Sequence, residues 1–179
     1  MRIVVVYESI FGNTHRIAAA IERGARDHAS TRLVSVGDRA AEDVAAADIV
    51  VLGAPTHAFS LSTPASRHQA VVWTRDPERD LALDAGEPVT GIREWLDAHP
   101  HLPSYFACFD TRAQSMRRFP GSAAKSIDRR LRSNRLIQLA SPRSFYVSSE
   151  NALLPGEEDS AYAWGEHLAT TSVAPAIRR

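Results

Sequence analysis

Two uninterrupted apolar runs constrain this chain most: Ile3-Val4-Val5-Val6 and Ile49-Val50-Val51-Leu52. Neither run alternates with polar residues, so each, as a strand, needs apolar cover on both faces. Between them lies a stretch, Arg16 to Arg26, whose Ile17, Ala18, Ala20, Ile21 and Ala25 recur at helical spacing. Strands covered on both faces and joined through helices form parallel sheets.

The rest of the chain continues the pattern. The spacing predicts a first strand over Arg2 to Tyr7 and a helix from Asn13 to about His28. A less apolar strand, Arg32 to Val36, belongs nearer a sheet edge. A short helix follows over Glu42 to Ala46, then a strand over Asp48 to Ala54. Ala65 to Trp73 reads as helix, Thr74 to Pro88 as a charged excursion, and Gly91 to Ala98 as a short helix. A fourth strand, Ser104 to Phe109, precedes a helix over Ser122 to Ser133. The last strand is split, Leu136 to Leu139 and Phe145 to Val147. A final helix spans Glu157 to Thr171, its acidic first turn matching the helix dipole. The expected architecture is a three-layer α/β/α sandwich on a five-stranded parallel sheet with right-handed crossovers. One domain is expected over residues 1–171, with 172–179 a frayed tail.

Composition narrows the function classes. The 179 residues carry 21 basic and 21 acidic side chains, so no net field favours nucleic acid or a membrane surface. Cys108 is the single cysteine, set in the apolar run Tyr105 to Phe109, and reads as a buried thiol. No apolar stretch approaches the ~20 residues that span a bilayer. The N-terminus enters a strand without a leader pattern, which makes the cytoplasm the expected compartment. No H-E-x-x-H, other metal spacing or G-x-S-x-G elbow occurs, which disfavours metal and hydrolase chemistry.

The segment Tyr7-Glu8-Ser9-Ile10-Phe11-Gly12-Asn13-Thr14 joins the first strand to the first helix. First-turn amides have no acceptor inside their helix, and the dipole adds positive potential there. Gly12 permits a positive φ or close backbone approach. Ser9 and Thr14 add hydroxyl donors, so phosphate is the natural guest. The plainer alternative is Asn13 capping the helix over an empty turn. His15 and Arg16 are expected to face solvent. Neither G-x-x-x-x-G-K-[ST] nor G-x-G-x-x-G is present, and the single lysine, Lys125, lies far away.

A strand followed by S-x-F-G-N-T and a helix resembles the FMN-phosphate loop of the flavodoxin family. Phe11 stands where that family usually has a second threonine, so one hydroxyl is lost. The resemblance extends to about Leu168 and implies the sheet order 2-1-3-4-5. It implies FMN as cofactor, with phosphate on Ser9, Ile10, Phe11, Gly12, Asn13 and Thr14. Gly53 to Ser60 is similar to the family's second flavin loop, which places Pro55, Thr56, His57, Ala58 and Phe59 beside the isoalloxazine. His57 is the candidate general acid or base if a quinone-like substrate is reduced; the plainer readings are an exposed His57 and a core Phe59. Ser62 to Ala65 is expected to lengthen that wall. Asp110, Thr111 and Arg112, in F-D-T-R-A, resemble a third loop at the pyrimidine end. Arg112 is expected near that end, raising the flavin potential by stabilising the reduced anion.

Two departures stand out. Typical flavodoxins sandwich the ring between a tryptophan and a tyrosine, whereas Trp73, Trp95 and Trp164 are expected away from these loops. Those carriers are also strongly acidic, and this chain is neutral. The resemblance implies electron transfer with a redox protein or small electron acceptor as partner. The alternatives are a small FMN-dependent quinone or flavin reductase, or a binding module that has lost FMN. The run Lys125, Arg129, Arg130, Arg132 and Arg135 is either a solvated helix face or a dock for an acidic redox partner or polyanion. No nucleic-acid-reading motif accompanies it.

Overall fold

The computed structural model describes residues 1–38, 41–99 and 101–171. The expected frayed tail, 172–179, lies outside the described residues. The strands are β1 (Arg2–Tyr7), β2 (Ser30–Ser35), β3 (Ile49–Pro55), β4 (Tyr105–Ala113), β5 (Ile137–Gln138) and β6 (Arg143–Val147). The helices are α1 (Asn13–Arg26), α2 (Ala41–Ala45), α3 (Pro64–Trp73), α4 (Ile92–Ala98), α5 (Ala123–Ser133) and α6 (Glu157–Thr170).

All sheet pairings are parallel, in the order β2-β1-β3-β4-β5, with β6 also on β4. The order 2-1-3-4-5 follows, with the fifth position filled by the two halves of a split strand. The apolar runs sit where their composition requires: Val4, Val5 and Val6 of β1 and Ile49 to Leu52 of β3 have no exposed surface. Alternate residues supply opposite cores. Val4, Val6, Val50 and Leu52 pack with α4 and α5 residues including Trp95, Ile127 and Leu131. Ile3, Val5, Ile49 and Val51 pack with Ile17 and Ile21 of α1 and Trp164 and Leu168 of α6. Each such aliphatic side chain contributes about 1.5–3 kcal/mol on burial.

β4 runs four residues beyond the expected end at Phe109. Its second half gains a partner, because Phe109 to Ala113 pair with Arg143 to Val147 on one side. On the other side Ala54 and Pro55 pair with Asp110 and Thr111. F-D-T-R-A is therefore strand rather than loop.

Candidate functional site

At the carboxyl edge of the sheet, where β1 and β3 diverge to their helices, lies a cleft of about 800 Å³. Such edges are where open α/β sheets bind ligands. Its floor is the turn between β1 and α1. Gly12 is the N-cap of α1 at φ 88°, and no side chain caps the helix. Ser9 Oγ accepts from the Gly12 amide at 3.2 Å, which leaves the Ser9 hydrogen free to donate. Asn13 does not cap the helix. Its Nδ2 reaches across the cleft floor to the Asn151 carbonyl at 2.7 Å. Thr14 Oγ1 lies 2.6 Å from Thr111 Oγ1, and one of the two hydroxyls keeps a hydrogen to give elsewhere.

α5 ends differently. Its first three amides donate to Thr56 Oγ1 at 2.9 Å, Asp110 Oδ2 at 2.9 Å and Ser122 Oγ at 3.3 Å. The start of α5 is saturated by side chains, while that of α1 lies open to the cleft. The open end is the one with the anion-binding chemistry.

Ten of the fourteen residues expected at the site line this cleft: Ile10, Phe11, Asn13, Thr14, Pro55, Thr56, His57, Ala58, Thr111 and Arg112. Ser9 and Gly12 build the turn from beneath. Asp110 and Phe59 are elsewhere. Because Asp110 lies within β4, its side chain points to the opposite face from Thr111. It is buried against the start of α5, and burial raises its pKa despite bonds from Ser122 and Ala124. Phe59 is neither core nor cleft. It occupies a two-residue turn closed by His57 and Ser60, each donating its amide to the other at 2.9 Å. The turn directs the Phe59 ring to solvent, against Phe119 at 5.1 Å between ring centroids.

Arg112 is 5% exposed and borders the cleft. Its Nη2 donates to the carbonyls of Met116 and Phe119. Its Nε has no partner among the described residues. A buried guanidinium donor without an acceptor costs stability unless something enters to take the proton's hydrogen bond. His57 is half-buried, and burial, followed by the nearby Arg67 charge, holds its imidazole below the ordinary histidine range. The ring is neutral at physiological pH.

Other walls were not anticipated. Trp73 lines the cleft rather than lying away from it, together with Glu78, Arg79, Asp80 and Leu81. The Arg79 guanidinium sits 5.2 Å over the Trp73 ring. The excursion after α3 folds back over the first loop, where the Asp84 amide donates to the Ile10 carbonyl at 2.8 Å. His15 is accordingly not free in solvent. It stacks on Tyr7 at 4.8 Å and meets the Asp84 carboxylate at 3.2 Å. Arg16 is exposed, as expected, and pairs with Glu158. The opposite wall is Val147 to Asn151, beyond β6. Ser62 to Ala65 do not extend the cleft. Ser62 is buried under Arg67, Thr63 forms a capping box with Ser66, and α3 begins at Pro64.

One side chain secures the fold-back. Arg67 is 2% exposed and donates to Ser62 Oγ at 2.8 Å and to the carbonyls of Pro88 and Val89 at 3.2 and 3.1 Å. Glu8, the residue before the first loop, accepts from the Ile92 amide at 2.9 Å on the same buried network. Its other oxygen is unpartnered among the described residues. Burial pushes the Glu8 carboxyl above its ordinary range, against the pull of Ser62, Ile92 and Arg67.

FMN suits these donors. Its phosphate needs amides and hydroxyls, which the first turn offers, and its ring needs donors and flat apolar walls. Arg112 Nε is a spare donor, and Trp73 and Pro55 are flat surfaces. Asp84 is an opposing charge beside the first turn, and Glu78, Asp80 and Glu150 line the same cleft. The Asp84 carboxylate lies 3.2 Å from the His15 ring nitrogen.

No protein-family model matches the sequence, and no curated protein matches it. Solved structures do. A flavodoxin from the domain Archaea aligns with 94% of this chain and 96% of its own, at a TM-score of 0.64 and 18% identity. Oxidised flavodoxin 2 from Bacillus cereus aligns over 94% and 98%, at 0.61 and 19%. The flavodiiron protein from Giardia intestinalis aligns at 0.60 and 16%, where this chain spans 35% of the longer protein. At such identities the likeness is one of architecture. In strand order, layering and extent, the chain has the flavodoxin-like fold.

Proposed function

We propose that this protein binds FMN in the cleft and serves in electron transfer. The observation that carries the reading is the uncapped start of α1, turned toward the cleft by Gly12 at positive φ. Phosphate is held there by the first-turn amides and by the hydrogens that Ser9 and the Thr14–Thr111 pair have left to donate. The ring lies along Pro55 to Ala58 and Thr111 to Arg112, with Trp73 on the outer wall. Bound FMN would supply one- and two-electron chemistry. The chain's part is to orient the cofactor, shield it from water and set the charge around it. Arg112 brings a fixed positive charge and a free donor, which favour the reduced anion. The excursion held by Arg67 covers the phosphate end.

A second reading has its own support. His57 is a neutral imidazole in the cleft wall, and a cleft of about 800 Å³ lies at the upper end of small-molecule pockets. A flavin-dependent reductase acting on a small quinone-like acceptor would use the His57 ring N–H as a hydrogen-bond donor to the acceptor's oxygen.

Titration of the protein with FMN, followed by quenching of flavin fluorescence, tests the first reading. Ser9→Ala removes one hydrogen bond to a charged group, about 1.5–3 kcal/mol, and weakens binding roughly ten- to hundredfold. Unaltered affinity in Ser9→Ala contradicts a phosphate on the first turn.

A further inference from the structure

We infer that the surface around Phe59 and Phe119, beside the cleft mouth, docks an acidic redox protein. The inference rests on the redox reading above for the partner's kind and on the following observations for its place and charge.

Phe59 and Phe119 are 42% and 47% exposed, and their rings pack together in solvent. Exposed aromatics of this kind favour interfaces. The turn that presents Phe59 is strained: Ala58 and Phe59 have φ of 44° and 69°. Such turns ordinarily use Asn and Gly, and left-handed backbone costs about 1–2 kcal/mol for other residues. Strain held in a turn points to a use for what it displays. The display is rigid, because Gly121 packs directly on it. A Cβ at Gly121 would lie 2.7 Å from the Phe59 carbonyl oxygen. It is also continuous with the cleft, since Ala58 lines the wall and Arg112 holds the Met116 and Phe119 carbonyls.

The rim is cationic. Arg117 and Arg118 precede Phe119 and are exposed, and Lys125 donates to the Pro120 carbonyl at 2.8 Å. From residue 111 to 125 the chain carries four basic side chains, Arg112, Arg117, Arg118 and Lys125, and no acidic one. Glu157 is an opposing charge close enough to feel Arg117. In a neutral protein this is a local polarity rather than an overall field. An apolar pair ringed by cations complements a partner whose apolar patch is ringed by carboxylates. Small, charge-steered surfaces of this type give weak, salt-sensitive complexes.

The test uses the full chain and a fluorescently labelled, strongly acidic [2Fe–2S] ferredoxin as probe, with binding read by anisotropy. Binding is expected at low salt and falls steeply between about 0.05 and 0.5 M. Charge reversal at Arg117, Arg118 and Lys125 together weakens it by about tenfold or more. Phe119→Ala weakens it too. Reversal of Arg129 and Arg132, farther along α5, leaves it within about twofold. Circular dichroism checks that each variant is folded. Absence of ferredoxin binding, indifference to salt, equal loss in both charge-reversal variants, or equally tight binding of a basic cytochrome c overturns the assignment. So does preferential binding of a single-stranded oligonucleotide, which would make the surface a nucleic-acid site. FMN retention is measured separately by absorbance. Ferredoxin binding by protein that takes up no FMN upholds the surface and overturns the flavin reading. FMN retention without ferredoxin binding does the reverse.

Discussion

Arg112 concentrates the redox claim in one side chain. Replacing it with Gln removes the positive charge beside the cleft while keeping a donor for the Met116 and Phe119 carbonyls. Loss of an interaction of about 1.5–3 kcal/mol with the reduced flavin lowers a two-electron midpoint by roughly 30–60 mV. Redox titration of flavin-loaded Arg112→Gln reads this, and an unchanged midpoint contradicts the role. Glu8 carries a different prediction. In the unfolded chain it titrates at the ordinary glutamate value, while burial raises it in the folded protein. The folded state keeps a proton that the unfolded chain has lost, so stability declines as pH rises through that interval. Glu8→Gln removes the decline. Its melting temperature exceeds that of the parent at about pH 7, and the gain disappears near pH 4. A gain independent of pH contradicts the raised carboxyl. Arg112 and His57 were legible in the sequence because each follows an apolar strand segment closely, Tyr105 to Phe109 and Ile49 to Leu52. Arg67 and Trp73 were not: they reach the site through the fold-back of residues 74–91, which no local periodicity encodes.

Helices α1 and α6 cross in backbone contact, and two glycines set their separation. A Cβ at Gly165 would lie 2.1 Å from the Ile21 carbonyl oxygen, and one at Gly24 would lie 2.0 Å from that of Tyr162. Gly165→Ala therefore forces the helices apart and costs about 1–3 kcal/mol, although alanine is the better helix former. Denaturant unfolding checks this; a stabilised variant contradicts the close crossing. The same packing holds the start of α1 at the cleft, since Asn13 and Thr14 lie on the helix that α6 braces. Strands and helices were readable because their apolar spacing differs. Boundaries that depend on a partner were not. β4 outruns its apolar segment because β6 supplies hydrogen bonds for Asp110, Thr111 and Arg112. Asp110 is thereby turned away from the cleft, which a loop reading of F-D-T-R-A could not anticipate. The turn at Ala58 and Phe59 carried no Asn-Gly signature, so its outward display of Phe59 was invisible as well.

At the scale of the molecule, a neutral chain separates its charges around the cleft. Residues 76–87 carry five acidic side chains and one basic, and Glu78 and Asp80 line the cleft together with Arg112. Among the described residues no helix is long and apolar enough to cross a membrane. The fold supplies a ligand edge, the first turn a set of uncapped amides, and the surrounding walls a cleft of about 800 Å³. The flavin reading proposed above rests on these three features, and one measurement tests it. Purified protein is mixed with excess FMN, gel filtered, and its absorbance recorded. The account predicts the two visible flavin bands in the protein fraction, shifted from free FMN and near one flavin per chain. Protein that emerges colourless after loading contradicts FMN binding and leaves a flavodoxin-like fold put to non-redox use.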